Sequence, residues 1–405
     1  MMMAQVVCAQ TNGVLKEYKR NSLATMLVYH PEDEFGINIY EAFDSIPTPD
    51  KYDDHNVGAR VINNDSVSGL QKKKAGFIKA QYGKTLTALD IKKNAEKIEQ
   101  ILNDGQYGTY LVAKWFGLDF TQPVENWHFS TDLIQTRGQY NASDIDVERA
   151  KLTARGVAAL SDAGEELLHN TFVLVNDITY VTAEEKAAAA KAAMSILGGI
   201  ADALFGGSPG RQLANAGGAI ADQFTGFTVK THSYLYQLEW NDSIAAVFYN
   251  DYWTSTYDSA RLAAFLQDTS LFRLHYVAHE YEYDAKSTLK GQYDRKELVK
   301  MVCTRSMDKN IAALQLQYED FKVKTPVYEL EENSKGMTVG YLAKIGMKEG
   351  ITENSTFQVI QRFTDESAGR TKYRYVATVK PKKGQIWDNR YNAVLEGDSG
   401  SELTA

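Results

Sequence analysis

Thr171-Phe-Val-Leu-Val-Asn-Asp-Ile-Thr-Tyr-Val181 and Phe227-Thr-Val-Lys-Thr-His-Ser-Tyr-Leu-Tyr-Gln-Leu-Glu-Trp240 decide how this chain is read. Both are rich in β-branched and aromatic residues, the composition of buried strands. Between them lies a stretch dominated by Ala and Gly. Thr182 followed by Glu185 has capping-box spacing, in which the hydroxyl accepts from the backbone three residues on and the carboxylate reaches back. The run from Ala183 to Phe205 has the composition of a strong helix. Gly206-Gly-Ser-Pro-Gly210 ends it, because Gly enters left-handed backbone and Pro cannot extend the ladder. A weaker helix follows, from about Arg211 to Phe224. The core of the chain therefore reads as strand, αα-hairpin over 183–226, strand.

The hairpin carries the sharpest functional signal. Small residues recur every fourth position at Ser195, Gly199, Ala203 and Gly207, and again at Gly217 and Ala221. Such ladders let two helix backbones approach closely and are common in membrane helices. Met194, Ile196, Leu197, Ile200, Leu204 and Phe205 form the apolar stripe and are the candidate membrane or partner contact. A simple span is disfavoured. A crossing needs roughly 20 apolar residues, whereas Lys191, Asp202, Arg211 and Asp222 interrupt every such run. A tightly packed αα-hairpin is the expectation; a surface-lying or oligomer-inserting hairpin is the alternative.

Outward from this centre the pattern is mixed. Ser22-Leu-Ala-Thr-Met-Leu-Val-Tyr29 reads as a buried strand. A helix starting near Pro31 carries Phe35, Ile39 and Phe43 and stops at Ile46-Pro-Thr-Pro-Asp50. Asp53-Asp54-His55 supplies too few ligands for a divalent cation and reads as a polar turn. Asp90 caps a helix closed by Gly105, and another runs over 107–116. Trp127 and Phe129 lie in an aromatic connection. Ser143 with Asp146 opens a further helix before the first deciding strand.

Beyond the second deciding strand, Ile244-Ala-Ala-Val-Phe-Tyr249 reads as a strand, 259–266 as a helix and 270–284 as a strand. His275 and His279 fall in that last strand. On a helix the spacing would join two rings on one metal; on a strand the residues stand roughly 13 Å apart, so no zinc is expected. Two helices follow, over 295–304 and 308–321, and then Lys322-Val-Lys-Thr-Pro326 marks a change of texture. The remainder is β: 327–330, 337–345, 357–363, 373–379 and 385–387, with a Ser/Gly-rich tail expected to fray. Five short strands in so few residues suit a small barrel.

The fold class is therefore α+β. Residues 10–135 form an N-terminal α/β region, 136–322 a central α+β domain with the inserted hairpin, 323–397 a small all-β barrel and 398–405 a tail.

The 405 residues are 44% hydrophobic and 24% charged, values ordinary for a globular chain. The net charge of −8 gives nucleic-acid binding no electrostatic support. Met1-Met-Met-Ala-Gln-Val-Val-Cys-Ala-Gln10 reads as the remnant of a signal peptide over 1–9, with Val7 and Ala9 at the small-residue cleavage positions. The expected location is thus exported: periplasmic or associated with the outer membrane. Removal of Cys8 would leave Cys303 alone, so no internal disulfide is expected. No nucleophile elbow, Gly-rich phosphate loop or metal motif stands in the chain. No catalytic, cofactor-binding or metal residue is nominated, and the chain leans away from being an enzyme.

Ala343-Lys-Ile-Gly-Met-Lys-Glu-Gly-Ile-Thr-Glu-Asn-Ser-Thr-Phe-Gln-Val359 resembles the small β-barrel that ends several Gram-negative periplasmic assembly proteins. Gly346, Gly350, Ile351, Phe357 and Val359 carry the likeness; Asn354-Ser355 stands where that pattern has Gly-Asp. The passage Ala158-Ala-Leu160 through Asn170-Thr-Phe-Val-Leu-Val175 is similar to the α/β domain of curli-secretion and flagellar-assembly factors. Over its whole length, including Ile46-Pro-Thr-Pro-Asp50, the chain looks like an uncharacterised exported family of Bacteroidetes-type bacteria. These resemblances imply the cell envelope and supply no activity. The function expected is a non-enzymatic envelope structural, assembly or protein-interaction factor with a protein partner or a second copy of itself. Alternatives are a membrane-active or pore-related protein using 183–226, and a hydrolase with paired carboxylates.

Overall fold

The computed structural model describes residues 21–30, 35–49, 51–58, 60–63, 86–134, 167–182, 224–289, 294–322, 325, 327–343, 345–347, 351–365, 370–388 and 401–404. The helical hairpin lies outside the described residues. So do all twelve of its candidate residues: Met194, Ser195, Ile196, Leu197, Gly199, Ile200, Ala203, Leu204, Phe205, Gly207, Gly217 and Ala221. The helix expected from Ser143 and the export segment lie outside them too.

The architecture is α+β, as its sequence pattern implies. A six-stranded mixed sheet is built from β1 (Ser22–Tyr29), β2 (Asp53–Asp54), β3 (Val61–Asn63), β4 (Thr171–Thr182), β5 (Phe224–Leu238) and β6 (Leu274–Leu289). Its order is β2-β1-β4-β5-β6, with β3 also paired to β1. The pairs β1–β2, β1–β3 and β1–β4 are parallel; β4–β5 and β5–β6 are antiparallel. The two deciding strands are neighbours, with Phe172 opposite Gln237 and Thr182 opposite Phe227. Residues 22–28 and 171–180 are buried without a break, the mark of strands covered on both faces.

Helices cover both faces. On one lie α1 (Gly36–Asp44) and α6 (Arg295–Gln317); on the other lie α2 (Ala88–Asp104), α3 (Tyr107–Trp115), α4 (Asp242–Val247) and α5 (Ser259–Gln267). Strand alternation sorts the side chains: Ala24, Met26, Val173, Val175, Tyr234 and Tyr236 face α2–α5, while Leu23, Leu27, Phe172, Leu174, Ile178 and Leu235 face α1 and α6.

The α6 face holds two apolar clusters with a polar layer between them. Asn310 Nδ2 donates to Thr231 O (2.9 Å) and Ser233 Oγ (2.8 Å). Ser233 Oγ donates to Asn176 Oδ1 (2.7 Å), and Asn176 Nδ2 donates onward to Met26 O (3.3 Å). One chain of hydrogen bonds thus crosses α6, β5, β4 and β1. Ser306 Oγ bonds Thr231 Oγ1 (2.7 Å) a turn away.

Three local expectations are corrected here. Residues 244–249, expected as a strand, form α4 and the π-helical turn Phe248–Tyr252. Asn241 decides this, since its side chain accepts from Ser243 N and Ile244 N and nucleates the helix. The two helices expected over 295–321 are one 23-residue helix, α6, followed by the short turn Glu319–Phe321. Asp53-Asp54-His55 is not a turn but contains β2, and His55 is completely buried.

C-terminal to α6, β7 (Val327–Glu332), β8 (Thr338–Ala343), β9 (Phe357–Asp365), β10 (Arg370–Pro381) and β11 (Ser401–Thr404) form an antiparallel sheet in the order β7-β8-β11-β10-β9. Ala343, Ile345, Ile351 and Val379 are its buried core. The tail expected to fray supplies β11, which sits between β8 and β10 through Ser401 opposite Ala343 and Lys380 opposite Thr404. Residues 385–387, expected as the fifth strand, are not strand. The sheet is open among the described residues: β7 and β9 end its order, and the expected barrel closure is not seen.

Candidate functional site: an apolar groove beside α3

Helix α2 begins with a complete capping box. Thr87 accepts from Asp90 N, and the Asp90 side chain accepts from Thr87 N. Ala95, Ile98 and Leu102 turn to the sheet. Its C-terminal end is stitched to β6 by Asn103, which donates to Leu274 O (2.9 Å) and accepts from Leu274 N (2.8 Å). Gln106 then takes a left-handed backbone (φ 53°), and its Nε2 donates to Leu266 O (3.0 Å). That single residue turns the chain into α3. At the start of α3, Gly108 lies against the backbone of Phe272, where a Cβ would come within 2.8 Å of the carbonyl carbon. No larger residue allows this approach.

Trp115 anchors the other end of α3. Its Nε1 donates to Thr171 Oγ1 (2.8 Å), and its indole stacks on the His55 ring at 4.8 Å. His55 Nε2 donates to Leu111 O (3.0 Å), which fixes the proton on that nitrogen. The chain leaves α3 through Gly117, at φ 67°, a left-handed position suited to glycine.

These constraints leave a groove of about 1130 Å³ between α2, α3, the 56–62 segment and the 117–127 loop. Its floor is Met26, Val61, Ile62, Ile101, Leu102 and Leu118. Its rim is aromatic: Phe120 meets Tyr110 edge-on at 5.7 Å and Trp127 edge-on at 5.3 Å. Tyr110 is 40% and Phe120 37% exposed. These are large apolar surfaces open to solvent beside a concavity, the arrangement of a binding site.

Lys114, Tyr107 and Asp119, which line the groove, are engaged within the protein. Lys114 Nζ donates to Asn56 O (2.8 Å), and Tyr107 OH donates to Val57 O (3.3 Å). Burial pushes the Tyr107 phenol up to about 12, so it is a neutral donor at physiological pH. Asp119 accepts from Thr121 Oγ1 (2.7 Å) and Thr121 N (2.9 Å), and these bonds hold its carboxyl below the usual range. An exposed, hydrogen-bonded, ionised carboxylate is a poor general acid. The surface can therefore recognise apolar and aromatic groups, with Lys114 and Asp119 marking the polar margin.

His275 and His279 lie on β6, on a strand as the sequence implies. A register shift between Leu235 and Tyr236 places them opposite Gln237 and Tyr234, hence on opposite faces of the sheet. Among the described residues no group of three His, Cys, Asp or Glu could hold a metal ion. Among them also, no helix is long and apolar enough to cross a membrane. Sequence reasoning singled out Trp127 in its aromatic connection and missed the groove. The available signal was Tyr110, Phe120 and Trp127 themselves, aromatic residues that share no single helical or strand period. No protein-family model matches the chain, and no curated protein matches it either.

Proposed function

We propose that the chain is a non-enzymatic protein-interaction or assembly factor of the cell envelope, periplasmic or associated with the outer membrane. It holds an apolar, aromatic-containing segment of a partner protein in the α2–α3 groove. One observation carries the proposal: a groove of about 1130 Å³ with an apolar floor and an exposed aromatic rim, whose Lys114, Tyr107 and Asp119 are already hydrogen-bonded within the protein. Tyr and Trp are enriched among the few residues that carry most of the binding energy of a protein interface, once a partner buries them. The envelope location rests on the opening of the sequence.

The test is paired substitution. Tyr110→Ala with Phe120→Ala removes the rim without touching the buried core. Partner recovery from cross-linked envelopes should fall at least about tenfold, the effect of losing roughly 1.4 kcal/mol, while the protein still unfolds in one cooperative transition, its midpoint lowered by roughly 2–10 °C through the lost ring contacts. The same substitutions on the α6 face, Lys300→Ala and Glu297→Ala, should leave recovery unchanged. Equal recovery from both pairs rejects the groove as the binding site.

A further inference from the structure

On the α2 side of the sheet, toward the end from which residues 183–223 depart, four ionisable side chains lie in a row across β1, β4, β5 and β6. His30, at the end of β1, bonds Asp177 Oδ1 at 2.7 Å, and both side chains are buried. Asp177 is the register partner of His232, and His232 of Tyr281. His232 Nδ1 and His279 Nε2 are 3.0 Å apart. Their rings stack at 5.2 Å and 22°. Tyr281 stacks on His232 at 5.4 Å, and Tyr234 packs on His279 at 4.7 Å. His232 is only 3% exposed, and its other nitrogen, Nε2, has no hydrogen-bond partner among the described residues.

The proton count of such a pair is limited by geometry. Two nitrogens 3.0 Å apart need one hydrogen between them. A neutral pair supplies one, and a singly charged pair still supplies one, in a charge-assisted bond. A doubly protonated pair points two N–H groups at each other, and the bond is lost. We propose that His232 and His279 form an acid-sensitive latch between β5 and β6, closed while the pair carries at most one extra proton and opened by the second.

The surroundings set the direction of the response. Among the described residues, the groups facing the pair are Lys230 from β5, Asp177 from β4 with His30 behind it, Tyr281 from β6, and Tyr234 bonded to Asn94 of α2. Burial, only partly opposed by Asp177 and reinforced by Lys230, pushes His232 down to about 4. Burial and then His232 push His279 down to about 3. The unfolded chain takes up protons near 6.5; the folded pair does not. The fold therefore loses stability as pH falls below about 6.5, while the latch itself stays closed through the first protonation near 4 and opens as the second proton enters near 3.

The experiment is hydrogen exchange of β5 and β6 amides at pH 7 and at about pH 3, where the second proton enters, corrected for intrinsic rates, together with histidine ring titration by NMR. In the unmodified protein, exchange over 276–282 should accelerate at least about tenfold more than in His232→Gln/His279→Gln, whose amides keep the bond without titrating. Two of the seven histidine rings should titrate far below 6.5. The NMR arm needs no variant, so it stands if the double substitution fails to fold. All seven rings titrating between about 6 and 7 would overturn the latch. Equal acid acceleration in both proteins would overturn it as well.

Discussion

Replacing Asn310 with Ala probes the polar layer that joins α6 to the sheet. Asn310 is 1% exposed and gives both protons of its amide to β5, at 2.9 and 2.8 Å. Each bond contributes about 1 kcal/mol net. The missing carboxamide leaves a cavity between two well-packed apolar clusters, and Thr231 O loses a buried partner; these add roughly 1–2 kcal/mol. The expected loss is thus about 3–4 kcal/mol. At roughly 2–4 °C per kcal/mol for a domain of this size, the unfolding midpoint should fall by on the order of 10 °C. Asn310→Asp sharpens the test. It matches the volume but turns a donor into a buried anion facing a carbonyl and a hydroxyl, and should cost more than Asn310→Ala. Urea unfolding followed by tryptophan fluorescence reads both. A loss below about 1 kcal/mol for Asn310→Ala, or an aspartate as stable as the alanine, would refute the claim that this hydrogen-bond chain ties α6 to β1, β4 and β5.

Two further substitutions test what positions the groove. Gly108→Ala should destabilise, although alanine is favoured over glycine in a helix by about 1 kcal/mol. The added Cβ would sit 2.8 Å from the Phe272 carbonyl carbon and closer still to its oxygen, a clash costing roughly 1–3 kcal/mol; calorimetry showing a stabilised variant would contradict that close approach. Trp115→Phe removes the 2.8 Å bond to Thr171 Oγ1 and shrinks the stack on His55, so the midpoint should fall by an amount equivalent to about 1–2 kcal/mol, measured by thermal circular dichroism.

The central sheet was legible because its strands obey simple rules. Residues 22–29, 171–181 and 227–240 are rich in β-branched and aromatic residues, and each lies in a strand except Glu239 and Trp240, which follow the end of β5. The failures share a physical cause. In α6, Ser306 and Asn310 look like solvent-facing breaks in the apolar stripe, yet both are buried and hydrogen-bonded to β5 or its neighbours. A buried polar layer interrupts the apolar stripe without interrupting the helix. In residues 244–249 a short apolar run carried no period of its own, and the cap at Asn241 outweighed it. β11 is four residues long and held by pairing with β8 and β10, a long-range contact invisible in local composition. The groove was illegible for a similar reason. Its lining comes from β1, residues 56–58, β3, α2, α3, the 117–127 loop and Leu266 of α5, stretches brought together only by the fold.

The most direct measurement is site-specific photo-cross-linking in the native envelope, with a reactive side chain placed in turn at Tyr110, Phe120 and, as control on the α6 face, Lys300. The groove account predicts one recurrent partner segment, mapped by mass spectrometry, attached at 110 and 120 and missing at 300. Attachment at 300 with none at 110 or 120, or unrelated products at all three, would contradict it.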